Sequence, residues 1–207
     1  MMNAAKTPDS SAYSFNHPNY RELEVRDHPD GFAIRLIEPD LSYAPASLAW
    51  LAQEEVGQHM GADFSDLSLE GEQRRLQEVI DSTDQYNWMI ELDGNVIGNS
   101  CINSIEEQSK KYGCKAGSIA ILIGDKNVWG KKIARYVNKA MIDWAFNEGG
   151  FDELYARIME ENISSMKSFA ALGFELSDTE IESAHGKEMH WNHYKMTKDM
   201  WLNRSVV

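Results

Sequence analysis

Apolar residues recur along the chain with a period of two in some segments and of about 3.6 in others, so both strands and helices are predicted. The strand-like runs are rich in β-branched and aromatic residues, and they cover 33–37, 86–92, 96–105, 117–123, 154–159, 174–184 and 187–196. Helical spacing covers 47–56, 69–80, 133–149 and 162–172. This order predicts an α/β (α+β) fold with a mixed central sheet of about six to seven strands and about four flanking helices.

The distribution of proline and polar residues predicts the domain boundary. All five prolines lie at or before Pro45, and the first thirty residues are rich in Asn, Ser and charge. Residues 1–30 are therefore expected to form a flexible N-terminal extension. The remaining 31–207 contain no repeat or low-complexity linker and are expected to form one domain around one core.

The formal charge of −13 argues against nucleic acid as a partner, because most of the surface would repel phosphates. No apolar run approaches the roughly 20 residues that a membrane helix needs, so no membrane association is predicted. Residues 1–14 lack the apolar stretch of a secretion signal. The two cysteines, Cys101 and Cys114, lack zinc-ligand spacing, and a reducing, cytoplasmic setting fits them best.

The run 121–134 combines the end of a strand, a short loop that contains glycine and the start of a helix. Backbone N–H groups in such a loop point to one spot, and the helix dipole adds partial positive charge, which favours phosphate binding. The spacing is neither that of a Walker loop nor that of a three-glycine dinucleotide fingerprint. Taken alone, the run favours an ordinary strand-to-helix connection with a solvated basic first turn.

A second run, 160–174, follows a strand, opens a helix at Asn162 and closes it at Gly173 and Phe174. The pattern Ile-Gly-Asp-Lys-x-x-Trp-Gly-Lys of the first run, together with the Asn…Leu-Gly-Phe helix of the second, resembles the GNAT superfamily of N-acetyltransferases. The resemblance is to the branch of ribosomal-protein-alanine acetyltransferases of the RimJ/RimL type, and it extends from about Ala33 to Trp201.

The resemblance implies acetyl-CoA as co-substrate and assigns residues to its binding. The backbone of the strand end would pair with the pantetheine amides, the loop and helix start would hold the pyrophosphate, and Asn162 would bond the pantetheine arm. The residues implied are Leu122, Ile123, Trp129, Gly130, Lys131, Lys132, Ile133, Ala134, Arg135, Asn162 and Ser165. Asn162 is equally explained as a helix N-cap, and both roles are compatible.

Lys132 departs from the family pattern, which has glycine at this position of the phosphate loop. A lysine there can still offer its backbone N–H if its φ is negative, and its ammonium could meet a phosphate oxygen. Its Cβ would then lie close to the pyrophosphate. We expect that coenzyme binding is retained.

Many family members use a tyrosine as acid for the leaving thiolate, and Phe169 stands at that position here. Ser165 is the first substitute, with a serine half-buried against the sheet as the alternative, and Tyr194 is the second, with a core aromatic as the alternative. Glu182 is the candidate base, although strand alternation is also consistent with a carboxylate that faces water. His185, His190 and His193 are interpreted as surface histidines, and no metal site is predicted.

The negative charge is unevenly distributed. Residues 46–100 hold eleven acidic side chains and two basic ones, whereas residues 101–150 hold five acidic and eight basic ones. An anionic coenzyme at the basic side and a cationic amine at the acidic side would fit this division, although such acidic runs are often only solvated surface. By resemblance the acidic part forms the acceptor side, where Trp50 and Met60 could line the cleft.

The leading hypothesis is an acetyl-CoA-dependent N-acetyltransferase that acts on a primary amine, either a protein N-terminus or a small cationic molecule. The alternative is a CoA-binding regulatory module of the same fold with little or no turnover, suggested by Phe169 and Lys132. A third hypothesis is an unrelated α+β domain that binds an anionic ligand. Exposed edge strands in the predicted sheet would allow a homodimer.

Overall fold

The computed structural model describes residues 22–59, 67–184 and 187–204. In this part of the chain a single mixed sheet holds eight strands: β1 Leu23–Val25, β2 Ile34–Ile37, β3 Tyr86–Leu92, β4 Asn95–Asn103, β5 Ala116–Ile123, β6 Glu153–Met159, β7 Glu175–Ala184 and β8 Lys187–Thr197. Their order across the sheet is β1-β2-β3-β4-β5-β6-β8-β7. All neighbouring pairs are antiparallel except β5 and β6, which run parallel.

Seven helices connect these strands in the described part of the chain: α1 Ala44–Leu51, α2 Glu54–Gly57, α3 Leu69–Asp81, α4 Ile105–Tyr112, α5 Ile133–Asn147, α6 Ile163–Ala171 and α7 Lys198–Asn203. Two single 3-10 turns, Leu41–Tyr43 and Lys126–Val128, precede α1 and α5. None of these helices combines the length and apolar character that a bilayer crossing needs.

The mixed α/β (α+β) class is confirmed, although the counts of strands and helices are higher than expected. The helix predicted over 47–56 is divided into α1 and α2, because Gln53 between them is extended. The strand that the sequence analysis missed is β1, which lies inside the extension predicted for residues 1–30. Its side chains alternate, so that Val25 is buried while Glu24 faces water, and Leu23 and Val25 pair with Leu36 and Ile34 of β2. Residues 23–25 are therefore part of the folded sheet.

The missed helices are short or highly charged. Helix α4 buries only Ile105 and Ser109, and it begins after Ser104, which adopts a left-handed conformation with φ +51°. That turn ends β4 two residues before the predicted limit at Ile105. The predicted turn at His185 and Gly186 lies outside the described residues.

Helices cover both faces of the sheet. Trp88 and Met89 are neighbours on β3 and therefore point to opposite faces. Trp88 joins the main core under α5, with Val137 and Met141, whereas Met89 joins a second cluster under α1 and α3, with Trp50 and Leu76. Helix α5 thus packs on one face, and α1 and α3 pack on the other.

Candidate active site

Strands β5 and β6 separate part way along the sheet. They pair only through three residues each, Ala116–Ser118 with Glu153–Tyr155, although β5 continues to Ile123 and β6 to Met159. Strand β5 stays bonded to β4 up to Ile123, and β6 stays bonded to β8 up to Met159. The inner edges of 119–123 and 156–159 are therefore left without a strand partner, and a wedge-shaped gap opens between them.

A cavity of about 680 Å³ occupies the wide end of this gap. It is bounded by the end of β5, the loop after it, the first turns of α5, helix α6 and the end of α2. Its lining includes Ile121, Leu122, Ile123, Trp129, Gly130, Lys132, Ile133, Ala134, Arg135, Asn138, Asn162, Ser164, Ser165, Lys167, Ser168 and Phe169, with Glu55 and His59 on the α2 side. Ten of the eleven residues predicted for coenzyme binding are in this set.

Lys131 is the predicted binding residue that the cavity does not include. Its backbone carbonyl accepts a hydrogen bond at 2.9 Å from the imidazole of His28, which is buried against Phe32 and Tyr136. Its ammonium lies 5.5 Å from the centre of the Phe32 ring. Lys131 therefore ties the loop to the segment after β1 instead of facing the cavity.

The loop between β5 and α5 is held in place by packing and by side-chain hydrogen bonds. Gly124 lies so close to Trp50 that a Cβ there would come within 2.2 Å of the indole ring. Asp125 accepts from the backbone of Asn127, and the indole N–H of Trp129 donates to the carbonyl of Ile123 at 2.8 Å. Trp50 is consequently buried behind the loop as part of the core. Met60 lies outside the described residues.

Lys132 departs from the expected conformation. It has φ +62°, the left-handed conformation that glycine adopts without cost, and not the negative φ under which its amide was expected to stay available. The left-handed turn makes Lys132 the residue before α5, with no side chain capping the helix. The main chain at this position has the conformation that a glycine would adopt. A lysine in this conformation is strained by roughly 1–2 kcal/mol.

The start of α5 presents unpaired donors and positive charge. No described residue accepts from the amides of Lys132, Ile133 or Ala134, and the first amide with a partner is that of Arg135, which donates to the carbonyl of Lys132. Lys132 and Arg135 form no ion pair with any residue in the described ranges, whereas the nearby Lys126 is paired with Glu55 at 3.3 Å. Free amides, the helix dipole and two cations make this end of the cavity suited to an anion.

The start of α6, on the opposite wall, is capped. The side-chain oxygen of Asn162 accepts from the amide of Ser165 and from the hydroxyl of Ser164, both at 3.1 Å. The capping role is thereby confirmed, and the amide nitrogen of Asn162 stays available at the cavity wall. Ser165 lines the cavity, and Phe169 lies one turn further on, buried edge-on against Phe174 with 5.0 Å between ring centres.

Glu182 and Tyr194 do not line this cavity. Tyr194 lies beside Ala156 and Leu176 on the face that bears α5 and packs against the main core. Glu182 pairs with Met189, five positions before Tyr194 on β8, so its side chain points to the opposite face. The three predicted catalytic residues are therefore not brought together, and Ser165 alone reaches the cavity.

Glu182 belongs instead to a charged cluster on the sheet face opposite α5. The guanidinium of Arg157 bonds Glu182 at 2.6 Å and Glu180 at 3.2 Å, and it stacks 4.0 Å above the ring of Trp191. The hydrogen bond from His193, with Arg157 close by, lowers the pKa of Glu180. Both carboxylates are thus already engaged with cations.

The remaining predicted groups show no metal chemistry. His190 contacts Glu188 and Glu160, and no cluster of three or more potential metal ligands is found among the described residues. His185 lies outside them.

Burial raises the pKa of Cys101 to about 11, and burial also raises that of Cys114 to about 11. Both thiols are therefore protonated at neutral pH.

Several residues of the cavity lining were not predicted from the sequence, namely Asn138, Ser164, Lys167, Ser168 and the residues on the α2 side. Asn138 is the informative case, because it is a polar residue within a helix whose buried positions are otherwise apolar, such as Val137 and Met141. A polar residue on such a face is a signal that the sequence does carry. What it faces depends on α6, which comes 25 residues later.

Comparison with known proteins identifies relatives of this fold. A family model described as an acetyltransferase (GNAT) domain matches residues 33–175. Among curated proteins, an uncharacterized N-acetyltransferase p20 of Bacillus licheniformis is 28% identical over 112 residues, which are 54% of each chain. An uncharacterized protein of Methanocaldococcus jannaschii is 38% identical over 73 residues, 35% of this chain and 14% of that one. The chain thus spans about half or less of these relatives.

Solved structures share the fold at low identity. The microcin C7 self-immunity acetyltransferase MccE, in complex with acetyl-CoA and AMP, superposes with a TM-score of 0.69 over 84% of this chain and 94% of that chain, at 17% identity. RimL, a ribosomal L7/L12 α-N-protein acetyltransferase in complex with coenzyme A, gives 0.71 over 87% and 99%, also at 17% identity. RimJ of Mycobacterium smegmatis gives 0.69 over 84% and 85%, again at 17%. At this identity the likeness shows the fold.

Proposed function

The chain belongs to the GNAT acetyltransferase family, and from this membership we propose that it transfers the acetyl group of acetyl-CoA to a primary amine by direct attack within a ternary complex. The acceptor is a protein N-terminus or a small cationic amine. Acetyl-CoA, the acyl donor of this family, supplies an activated thioester. The chain's own residues bind acetyl-CoA, position the amine beside the thioester, and accept or donate the protons that the reaction moves.

The observation that carries the proposal is the gap between β5 and β6, with an uncapped helix at its mouth. The free amides of Lys132, Ile133 and Ala134 would hold the pyrophosphate, with Lys132 and Arg135 beside it. The unpaired edge of β5 around Leu122 and Ile123 would bond the amides of the pantetheine arm as an added strand does. The side-chain amide of Asn162 would contact the same arm from α6.

Direct attack is favoured over a covalent acetyl-enzyme because of the state of the thiols. A cysteine nucleophile must be a thiolate, and the thiolate fraction at neutral pH is negligible when the pKa is about 11. Cys101 lies on the strand next to β5, opposite Ala120, and is the better placed of the two. Its protonated state leaves the amine itself as the attacking group.

Ser165 is our candidate for the hydrogen bond to the departing sulfur. It is the one predicted catalytic residue in the cavity lining, and Phe169 beyond it has no proton to give. Tyr194 packs against the main core and does not line the cavity, so we assign it no direct role in catalysis. Glu182 remains a candidate base on the acceptor face only if its carboxylate is released from the ion pair with Arg157.

The acceptor side supports an amine that carries positive charge. Residues 46–100 hold eleven acidic side chains against two basic ones, and the helices of this stretch cover the sheet face that also bears Glu180 and Glu182. Among proteins of the same fold, one from Salmonella typhimurium is described as modifying the N-terminal serine of ribosomal protein L7/L12. A peptide N-terminus is therefore the first acceptor to try.

Two measurements test this function. Acetyl-CoA should raise the melting temperature of the protein, since a ligand at about 100 times its Kd adds about 2.7 kcal/mol to the free energy of unfolding. A free-thiol assay against peptides with free N-termini, polyamines and amino sugars should then show turnover with at least one class. No stabilisation at millimolar acetyl-CoA would exclude the coenzyme site.

The catalytic assignment is tested by Ser165→Ala, with Glu182→Gln as the matched comparison on the other sheet face. We expect Ser165→Ala to lower kcat by about a hundredfold, the lower range for general acid catalysis, with little change in acetyl-CoA affinity. An unchanged kcat would remove Ser165 from the mechanism, and an unchanged kcat for Glu182→Gln would leave Glu182 as a partner of Arg157 only.

A second function is favoured by one observation, namely that Phe169 leaves the usual acid position without a proton donor. A CoA-binding regulatory module would show the thermal stabilisation by acetyl-CoA and no turnover with any amine of the panel. The two measurements above therefore separate the alternatives.

A further inference from the structure

Three side chains that line the cavity, those of His59, Asn138 and Ser168, have buried polar atoms without a hydrogen-bond partner among the described residues, and two of them lie on the helices α5 and α6. Asn138, on α5, is fully buried, and neither its amide nitrogen nor its oxygen is bonded to any group of the described chain. Ser168, on α6, has a hydroxyl that is likewise buried and unbonded among the described residues. Both residues line the cavity.

Such groups are costly to leave unpaired. A buried donor or acceptor without a partner loses its hydration without compensation, and Asn138 carries one of each kind. Buried polar side chains in folded proteins nearly always have partners, so each exception requires an explanation. The neighbouring buried positions of α5, such as Val137 and Met141, are apolar and could have been matched by an apolar residue at 138.

The position of Asn138 relates it to the anion end of the cavity. It lies five residues after Ile133, the first residue of α5, which corresponds to roughly 7.5 Å along the helix axis. A ligand whose anionic group meets the start of α5 and whose chain runs inward along the cavity would therefore pass Asn138 after a few covalent bonds. Ser168 faces the same space from α6, while Leu122 and Ile123 form the wall on the sheet side.

We propose that Asn138 and Ser168 form a further polar contact site for the coenzyme, and that they bind the pantetheine arm of CoA at the hydroxyl and amide that follow the pyrophosphate. This part of the arm offers a hydroxyl, a carbonyl and an N–H in succession, which are the complements of an amide nitrogen, an amide oxygen and a serine hydroxyl. The inference rests on the coenzyme assignment but extends it to two residues deep in the cavity.

The two side chains thereby complete the contacts around the arm. The edge of β5 contacts it through the backbone, and Asn162 contacts it from the start of α6. Asn138 and Ser168 would contact it from the remaining side, in a place shielded from water. The arm would then be recognised by its polar groups as well as by the phosphates.

The test compares two ligands and two proteins. CoA contains the arm, whereas adenosine 3′,5′-bisphosphate keeps the adenosine with its 3′-phosphate and the first 5′-phosphate and lacks the second 5′-phosphate and the arm. Asn138→Leu, which fills the same space without polar atoms, should weaken CoA binding by about tenfold in isothermal titration and leave the bisphosphate affinity unchanged. The same substitution should raise the melting temperature of the ligand-free protein, because the unpaired polar group is removed.

Ser100→Ala is the matched control. Ser100 is also buried with an unbonded hydroxyl among the described residues, but it lies on β4 and does not line the cavity. Its removal should change the stability of the ligand-free protein without any change in CoA affinity. If Asn138→Leu does not fold, Ser168→Ala provides the same comparison of CoA with the bisphosphate, with an expected loss of about threefold to tenfold for CoA.

The outcomes are distinct. Wild-type CoA affinity in both Asn138→Leu and Ser168→Ala would overturn this inference while the coenzyme site stands. An equal loss of CoA and bisphosphate affinity would also overturn it, because it would show that the substitution distorts the start of α5. Failure of the wild-type protein to bind CoA would overturn the coenzyme assignment and this inference together.

Discussion

The two helices that begin at the cavity, α5 and α6, start in opposite ways. Helix α6 is capped by Asn162, whose side-chain oxygen takes the amide of Ser165. Helix α5 has no side-chain cap and begins after Lys132, which is held in the left-handed conformation, so that its first amides have no partner in the described chain. A helix start without a cap loses stability, typically about 1 kcal/mol.

The difference indicates that the two walls of the cavity offer different kinds of groups to a ligand. An anion that binds at α5 would supply the missing acceptors, and a side-chain cap there would compete with it. At α6 the amides of Ile163, Ser165 and Met166 already have acceptors, so this wall mainly offers side chains such as Ser165 and Ser168. On the proposed function, one helix would bind the coenzyme through its main chain and the other through its side chains.

The strongest way to break this comparison is to place a carboxylate on the uncapped helix. Ala134→Asp puts an anion at the second position of α5, where it satisfies the free amides and repels the pyrophosphate. We expect an acetyl-CoA affinity lower by about a hundredfold in isothermal titration, and a ligand-free protein that is slightly more stable.

Ser164→Asp is the matched control, since Ser164 holds the equivalent second position of α6. The same charge there should weaken acetyl-CoA only a few-fold. Equal losses of acetyl-CoA affinity from the two substitutions would show that the coenzyme phosphates do not prefer the start of α5 over the start of α6.

A smaller effect is expected from removal of the cap on α6. Asn162→Ala deletes the acceptor for the Ser165 amide and should lower the free energy of unfolding by about 1 kcal/mol, seen as a fall of about 2–4 °C in the melting temperature. Asn162→Asp keeps an acceptor oxygen and loses the amide nitrogen. It should therefore retain the stability and lose acetyl-CoA affinity; retained affinity would leave Asn162 with the capping role alone.

The smallest effect concerns Lys132. Lys132→Gly relieves the left-handed strain, and after the flexibility cost of glycine we expect a net gain of about 0.5–1 kcal/mol in chemical denaturation. Acetyl-CoA binding should weaken a few-fold at low salt through the lost ammonium, and this difference should shrink at high ionic strength. Lys131→Gly removes the same charge at a position without positive φ, so it should bring no gain in stability.

Much of the fold could be predicted because its signals are local. The apolar spacing of 69–80 matches α3, and Asp93 with Gly94 forms a turn in which both residues have positive φ. Each signal needs only a few neighbouring residues. Strand β1 was missed because Leu23–Val25 is short and surrounded by polar residues, and its burial depends on pairing with β2.

The candidate site was predicted where a motif fixes the main chain and not where packing decides the orientation. Asn162, Ser165 and the loop around Gly130 are covered by the family pattern and line the cavity, and their contact with the coenzyme stays a prediction. Lys131 lies near Phe32 whereas Lys132 lines the cavity, and Lys132 has a left-handed φ that its residue type disfavours. Glu182 was predicted at the cleft, but Arg157, 25 residues earlier, holds its carboxylate on the opposite sheet face.

The three-residue ladder between β5 and β6 has a consequence for how the protein responds to its ligand. In the described sheet, the halves β1–β5 and β6–β8 pair through Ala116–Ser118 and Glu153–Tyr155, and the amides of Asp152 and Glu153 donate in addition to the carbonyl of Lys115. A bound chain in the gap bridges the two halves, so that opening one requires release of the ligand as well. Both halves share the main core, so in the absence of a ligand we expect the motion to be confined to the strand ends 119–123 and 156–159. Coenzyme binding is thus expected to reduce the movement of these strand ends relative to each other.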